Sequence, residues 1–149
     1  NPDFALAYLN RGLCYDNLGK HQEAIDDYNT AIKIDPNDAN AYYNRGRAYF
    51  NLGGYQKAID DNTTAIKINP DFALAYLNRG LAYDNLGKHQ EAIDDNTTAI
   101  KINPDFALAY LNRGVNKSKL GIDCCRDFKR ACELGNENGC RNFKIVNCN

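Results

Sequence analysis

The twelve-residue string NPDFALAYLNRG occurs three times in the chain, at residues 1–12, 69–80 and 103–114. A diverged copy, DPNDANAYYNRG, occupies residues 35–46, so that one copy begins every 34 residues. A fixed period of this length is typical of proteins in which short structural units stack and bury apolar surface against their neighbours. The period therefore favours a stacked array over a fold built round one catalytic pocket.

The first repeat, residues 1–34, has the spacing of two amphipathic helices. The segment Ala5–Asn17 carries apolar residues at helical spacing, and Gly19 is expected to end this helix because glycine adopts the left-handed conformation at little cost. A second helix is predicted from about Gln22 to Ile34, where the following Pro36 ends it. No stretch alternates with a period of two, so no strands are predicted. The sequence predicts an all-α fold.

Small and aromatic residues recur within the repeat at fixed places. In the first repeat these are Tyr8, Gly12, Tyr15, Gly19, Ala24, Tyr28, Ala31 and Pro36. The second repeat has most of them as Tyr42, Gly46, Tyr49, Gly53, Ala58, Ala65 and Pro70, and the third as Tyr76, Gly80, Tyr83, Gly87, Ala92, Ala99 and Pro104. This pattern resembles the tetratricopeptide repeat.

The resemblance covers nearly the whole chain and implies an all-α, right-handed superhelical solenoid of helix–turn–helix repeats. It implies one domain over residues 1–149, made of repeats 1–34, 35–68, 69–102 and a diverged, shortened repeat 103–135, with a capping helix at 136–149. The first and third repeats differ at only three of 34 positions. Such closeness indicates either recent duplication or deliberate construction. The chain also opens at a repeat boundary, which suggests a piece excised from a longer protein.

Two repeats depart from the pattern in the second helix, where Asn62 and Asn96 replace the aromatic residue held by Tyr28. This position normally packs between repeats, and an unpaired buried amide costs about 1–3 kcal/mol. Either neighbouring tyrosines and water fill the space, or these joints are looser than the others. Replacement of each Asn by Tyr is expected to raise the melting temperature.

Five of the six cysteines lie near the end of the chain, at Cys124, Cys125, Cys132, Cys140 and Cys148. If the last two helices form an antiparallel hairpin that turns near Asn136, Cys132 faces Cys140. In the same hairpin Cys148 faces Cys124 or Cys125. Three interpretations stay open: small buried thiols, two disulfides across the hairpin, or a zinc site.

The state of these cysteines bears on the compartment. Disulfides would indicate maturation outside the reducing cytosol, in the periplasm or outside the cell, whereas free thiols would fit the cytoplasm. Cys14 aligns with Ala82 of the third repeat and is expected to be a buried free thiol.

Composition and charge exclude several classes of partner. The net charge of −1 gives no general attraction to nucleic acid or anionic lipid. No apolar run approaches the ~20 residues that span a bilayer. We therefore expect neither nucleic acid nor a membrane as partner.

No set of residues has the arrangement of a catalytic or cofactor site, so no enzymatic activity and no cofactor are expected. His21 and His89 recur at the turn between the helices of a repeat and are interpreted as structural. The paired acids Asp26–Asp27, Asp60–Asp61 and Asp94–Asp95 are interpreted as solvated outer faces.

In the family that the chain resembles, the first helices of the repeats line a concave groove that binds peptides. The resemblance implies that the matching residues contact a ligand here. They are Leu6, Leu9, Asn10, Leu13, Tyr43, Asn44, Arg47, Phe50, Leu74, Leu77, Asn78, Leu81, Leu108, Leu111, Asn112 and Val115. This set forms an apolar trough with one Asn per repeat, and an Asn can both donate to and accept from a peptide backbone.

The resemblance predicts a scaffold that binds a protein or peptide ligand, with apolar peptides or an amphipathic helix preferred. Members that bind the acidic tails of heat-shock chaperones use a Lys and Arg clamp. Asn44 matches one clamp residue, but Leu9, Leu13, Leu74 and Asn78 occupy the other places, so that ligand class is not expected. The alternative is a structural module that self-associates through its exposed apolar groove and near-identical repeats.

Overall fold

The structure is a computed structural model that describes the backbone of residues 2–146 and the side chains of residues 4–146. Over this range it contains nine helices and no strand, so the predicted all-α fold is confirmed. The helices are α1 (Pro2–Asn17), α2 (His21–Ile34), α3 (Ala39–Asn51), α4 (Tyr55–Ile68), α5 (Ala73–Asn85), α6 (His89–Ile102), α7 (Ala107–Lys119), α8 (Cys125–Glu133) and α9 (Glu137–Ile145).

The helices alternate as the repeats predict. A glycine with positive φ lies between the two helices of each repeat, as at Gly19 with φ 74° and Gly121 with φ 69°. Gly135, with φ 84°, separates α8 from α9 in the same way. Glycine adopts this conformation without the steric cost that a Cβ brings, which explains why these positions end the helices.

The chain divides into two compact units, residues 1–78 and 79–149, with the boundary inside α5. In the first unit α1 packs on α2, α2 on α3, and α3 on α4. Its main core cluster brings Leu9 of α1 together with α2 and with Ala41 and Ala48 of α3; the α2 members are Ala24, Ile25, Tyr28 and Ala31. A second cluster joins Ala39, Ala65 and Ala75.

In the second unit α6 packs on α7, α7 on α8, and α8 on α9. The core cluster there contains Leu111, Cys124, Phe128 and Ala131, with Phe143 of α9 packed against it. Asn136 caps the N-terminus of α9: its side chain accepts a hydrogen bond from the backbone N–H of Gly139 at 2.9 Å. Such a cap satisfies an amide that the first turn leaves unpaired.

One Arg–Asp pair joins the two helices of each repeat. The Arg Nη2 to Asp Oδ1 distances are 2.6–2.7 Å for Arg11–Asp27, Arg45–Asp61, Arg79–Asp95 and Arg113–Asp127. The interpretation of the paired acids as solvated faces is therefore wrong for the second acid of each pair. Asp27, Asp61 and Asp95 are 5–6% exposed, because each bends inward to its arginine.

Burial affects these carboxyl groups directly. Desolvation raises the pKa of Asp61 and of Asp95 above the ordinary value, although the hydrogen bond and charge of the paired arginine act in the opposite direction. Removing a charge from water disfavours its ionised form, and the arginine offsets only part of that cost.

The cysteine end contains a disulfide between Cys132 and Cys140, with a Cα–Cα distance of 4.4 Å. This is the pair that the hairpin geometry brings face to face. Cys125 is also disulfide-bonded, whereas Cys124 is a buried free thiol. The prediction for Cys148 falls outside the described residues. Cys14 is free but exposed, so its expected burial is wrong.

Candidate peptide-binding surface

The first helices of the first unit present several of the predicted contact residues to solvent. Helices α1 and α3 contact each other, and Leu6 on α1 is 57% exposed. Asn10 is exposed and Leu13 half-buried on the same helix. At the start of α5, Leu74 is 45% exposed. These side chains are accessible to a ligand without any rearrangement.

Other predicted contact residues lie in the interior. Leu9, Leu77 and Leu111 are 6–8% exposed, and Leu9 belongs to the main core cluster of the first unit. Asn44 and Asn78 are 7–8% exposed. Helical spacing places these residues beside the exposed ones, but neighbouring elements cover them, and no local pattern encodes that cover.

Three predicted contact residues of the first unit are already held by its own side chains. Arg47 donates from Nε and Nη2 to Asp16 Oδ2 at 3.0 and 2.6 Å, which joins α3 to α1. The ring of Phe50 lies 5.3 Å from that of Tyr55, between centroids. The ring of Tyr43 lies 5.0 Å from that of Phe72.

Asp16 is a residue of this surface that the sequence reasoning missed. It is 7% exposed, and its Oδ1 is 2.6 Å from Nδ1 of His21, so it contacts a histidine and an arginine together. Burial lowers the pKa of Arg47, but the hydrogen bond and charge of Asp16 outweigh this, and the net pKa is raised. The positive charge of Arg47 is therefore balanced by Asp16 within the protein. The sequence held one signal for this residue, because the same acid recurs as Asp84 in the third repeat. There, Oδ1 of Asp84 likewise lies 2.9 Å from Nδ1 of His89.

Among the predicted contact residues of the second unit, Leu108 is 40% exposed, and Leu81, Asn112 and Val115 are half-buried. Val115 also lines a cavity of about 260 Å³ between α7 and the end of the chain's described part. The other lining residues are Ser118, Lys119, Phe128, Asn142, Ile145 and Val146. Ile145 is an apolar residue on the last described helix, and its side chain is 71% exposed.

Two members of the predicted Asn row carry unsatisfied donors. Nδ2 of Asn78 and Nδ2 of Asn112 are buried and have no acceptor among the described residues. A buried donor without a partner costs about 1–3 kcal/mol. Both Nδ2 atoms are enclosed by the protein itself, so neither donor is presented on the exposed surface.

The described residues contain no group of His, Cys, Asp or Glu side chains that could hold a metal ion. None of the helices within residues 2–146 combines the length and the apolar character that a membrane crossing requires.

These features define a class of protein: an array of paired helices whose first helices expose leucine side chains. A family model described as Tetratricopeptide repeat matches residues 39–72 and 73–106, and one described as TPR repeat matches residues 15–53. The chain belongs to the tetratricopeptide repeat family.

Solved structures agree with this assignment. The crystal structure of MamA is 32% identical with a TM-score of 0.85, over 93% of this chain and 82% of that one. The first TPR of Spaghetti (RPAP3), bound to the HSP90 peptide SRMEEVD, is 30% identical with a TM-score of 0.80, over 81% of this chain and 96% of that one. The first TPR domain of human RPAP3 is 30% identical with a TM-score of 0.79, over 81% and 95%. A comparison with curated proteins found no match.

Proposed function

We propose that this protein is an interaction scaffold, without enzymatic activity of its own, that binds an apolar peptide or an amphipathic helix on the exposed face of its first helices. The observation that carries the proposal is the exposure of one leucine at the same position of three first helices. Leu6, Leu74 and Leu108 are 57%, 45% and 40% exposed. Exposed leucines gain free energy when another apolar surface covers them, and three of the four first helices carry one at this position.

The charges among the predicted contact residues of the first unit do not favour an acidic tail as the ligand. Arg47, the cation among the predicted contact residues of the first unit, is neutralised by Asp16. Although the first TPR of RPAP3 is bound to an HSP90 peptide, we expect this chain to bind that peptide weakly or not at all.

The test is selection from a displayed library of random twelve-residue peptides, followed by measured affinities for the peptides recovered. Leu6→Asp should weaken binding at least about tenfold, because it places a charge against an apolar ligand surface. Leu18→Asp is the matched control, since Leu18 follows α1 in the turn and is 72% exposed. Equal loss in both variants, or in neither, contradicts the proposal.

Leu77→Asp is a poorer test than its place in the predicted groove suggests. Leu77 is 6% exposed, so a carboxylate there would be buried and the helices themselves would lose stability. Loss of helical circular dichroism in this variant would identify Leu77 as a core residue.

A second candidate function is self-association. The first and last described helices expose large apolar side chains, with Phe4 at 60% and Ile145 at 71%. Apolar groups on a repeat protein's terminal helices can drive assembly, because terminal repeats normally carry a polar outer face. Light scattering over a range of protein concentrations separates a monomeric binder from a self-assembling module.

A further inference from the structure

A carboxylate in the first unit is shared by a histidine and an arginine. Oδ1 of Asp16 lies 2.6 Å from Nδ1 of His21, and Oδ2 accepts from Nη2 of Arg47 at 2.6 Å. The three residues lie in α1, α2 and α3, so the Asp–His pair of one repeat holds the cation of the next. The buried Tyr28 of α2 is close enough for the charges of Asp16 and Arg47 to act on it. We call Asp16, His21 and Arg47 the first charge cluster.

The second unit repeats the arrangement with a different cation. Oδ1 of Asp84 lies 2.9 Å from Nδ1 of His89 and accepts from Nζ of Lys119 at 2.6 Å. Oδ1 of Asn116 is a second acceptor, 3.1 Å from the same Nδ1. These residues lie in α5, α6 and α7. We call Asp84, His89 and Lys119 the second charge cluster.

The two clusters follow the repeat pattern. The second repeat has Phe50 and Tyr55 at the places of Asp16 and His21, and their rings pack 5.3 Å apart, between centroids. At the places of the two cations the other repeats carry uncharged residues, which are Leu13, Leu81 and Val115 for Arg47, and Asn17, Asn51 and Asn85 for Lys119. Each of these cations thus occurs in a repeat that follows an Asp–His pair.

The histidine is the member of each cluster that changes its charge near neutral pH. Carboxylate and amide oxygens accept hydrogen bonds, so the Nδ1 that faces them carries a hydrogen, and Nε2 is the nitrogen that takes up a further proton. Histidine ordinarily changes its charge between about pH 5 and pH 8. His21 and His89 are the only two histidines of the chain. While the imidazole is neutral, carboxylate and cation balance; protonation gives the cluster a net positive charge.

The cation of each cluster is more accessible to a ligand than the carboxylate. The side chains of Arg47 and Lys119 are 35% and 42% exposed, against 3% and 19% for Asp16 and Asp84. Arg47 is also one of the predicted contact residues and lies on a first helix, α3. A net positive charge at this place attracts a ligand carboxylate, whereas a balanced cluster does not.

We propose that the two charge clusters make peptide binding pH-dependent, so that protonation of His21 and His89 adds affinity for an acidic side chain on an otherwise apolar peptide. This inference rests on the proposed function, because it concerns the regulation of the same surface. At about pH 7.5 the surface selects apolar side chains alone, and at about pH 5.5 it also selects a carboxylate that reaches Arg47 or Lys119. A Glu of such a peptide is still ionised there, since its ordinary pKa is about 4.3.

The test uses a twelve-residue peptide recovered by the selection described above, prepared in versions that carry Glu or Gln at one position at a time. Isothermal titration calorimetry compares their affinities at about pH 7.5 and about pH 5.5. For at least one position the Glu version should bind about threefold more tightly at the lower pH, because one charge near a partly exposed cation has a modest effect in water. The matching Gln version should show no such change.

Variants of the protein separate this role from a structural one. The double variant His21→Gln/His89→Gln cannot acquire the charge, so the Glu version should bind it equally at both pH values, and its Tm reports whether it is folded. Asp16→Asn and Asp84→Asn each remove the carboxylate that balances a cation. One of these two should bind the Glu version about threefold more tightly than the unchanged chain already at about pH 7.5, an effect that a loss of structure would not produce.

A response to pH that persists in the double histidine variant overturns the inference. The proton would then bind elsewhere, for example at Asp61 or Asp95, whose pKa values are raised by burial. Equal affinity of every Glu version at both pH values overturns it as well, while continued binding of the recovered peptide leaves the proposed function standing. If the selection recovers no peptide, the proposed function is contradicted, and this inference with it.

Discussion

In each unit, one repeat places an aromatic ring of its second helix over the glycine of its first helix, and the other repeat places an asparagine amide there. We call these the aromatic closure and the amide closure. In the first unit the Tyr28 ring lies over Gly12 while Asn62 lies over Gly46; in the second, Asn96 lies over Gly80 while Phe128 lies over Gly114. Tyr28, Asn62 and Asn96 are all 0% exposed and Phe128 is 2% exposed. The same backbone thus buries either side chain fully.

The two kinds of closure differ in what they leave unsatisfied. Asn62 and Asn96 donate from Nδ2 to the carbonyls of Ala58 and Ala92 at 2.7 Å, but each leaves a buried Oδ1 without a donor in the described structure. An aromatic ring adds apolar contact area and, in Phe128, brings no polar atom. The repeat therefore tolerates a polar closure at a cost in stability, and four sets of substitutions measure that cost.

The largest effect is expected from Tyr28→Ala compared with Asn62→Ala. Removing the fully buried Tyr28 ring leaves a cavity between α1, α2 and α3, and should lower the free energy of unfolding by about 3–5 kcal/mol. Asn62→Ala removes one hydrogen bond but also the unsatisfied oxygen, so its cost should stay within about 1 kcal/mol. Urea unfolding of both variants measures the contrast, and equal losses would show that the two closures contribute alike.

Gly12→Ala and Gly80→Ala compare how closely the helices approach. A Cβ on Gly12 would lie 2.6 Å from the Tyr28 ring, whereas one on Gly80 would lie 3.0 Å from Asn96 Nδ2. The buried ring cannot move aside freely, so Gly12→Ala should cost about 1–3 kcal/mol. Gly80→Ala should be near neutral, because the higher helix propensity of Ala offsets the smaller clash. Thermal unfolding tests the order; a more stable Gly12→Ala variant would reverse it.

Asn62→Tyr and Asn96→Tyr convert the amide closure into the aromatic one. Each should raise the free energy of unfolding by about 1 kcal/mol, by filling space and removing a buried amide. The melting temperatures of the two variants provide the measurement. A loss of stability would mean that the space beside Gly46 and Gly80 is already filled.

The smallest effect is expected within the aromatic class. The Tyr28 hydroxyl is buried and has no hydrogen-bond partner among the described residues, whereas Phe128 has no such group. Burial also raises the pKa of Tyr28, since its ionised form would be poorly solvated. Tyr28→Phe should therefore stabilise the protein by up to about 1 kcal/mol in urea unfolding. A destabilised variant would reveal a partner for the hydroxyl, such as a bound water.

The 34-residue period and the placement of Gly and Pro were sufficient to predict the alternation of helices, because helical spacing and helix ends depend on local chemistry. The sequence also located the two amide closures and brought Cys132 opposite Cys140. The family resemblance implied Leu6, Leu74 and Leu108 as ligand contacts; all three are exposed, and their contact with a ligand stays a prediction.

Tertiary structure alone decided which of those apolar residues are accessible. Leu9 and Leu77 share the pattern of their neighbours but are buried, because exposure depends on elements distant in sequence.

The repeated string NPDFALAYLNRG makes the same point: its helix begins at Pro2 in the first copy but at Ala73 and Ala107 in the others. In the inner copies the backbone N–H of Phe72 and of Phe106 donates to the carbonyl of the Asn that opens each string, and this turn delays the helix. The Phe72 ring then packs against Tyr43, while Phe4 is 60% exposed. Identical residues take different roles because burial is a property of what packs against them, and twelve residues cannot specify that.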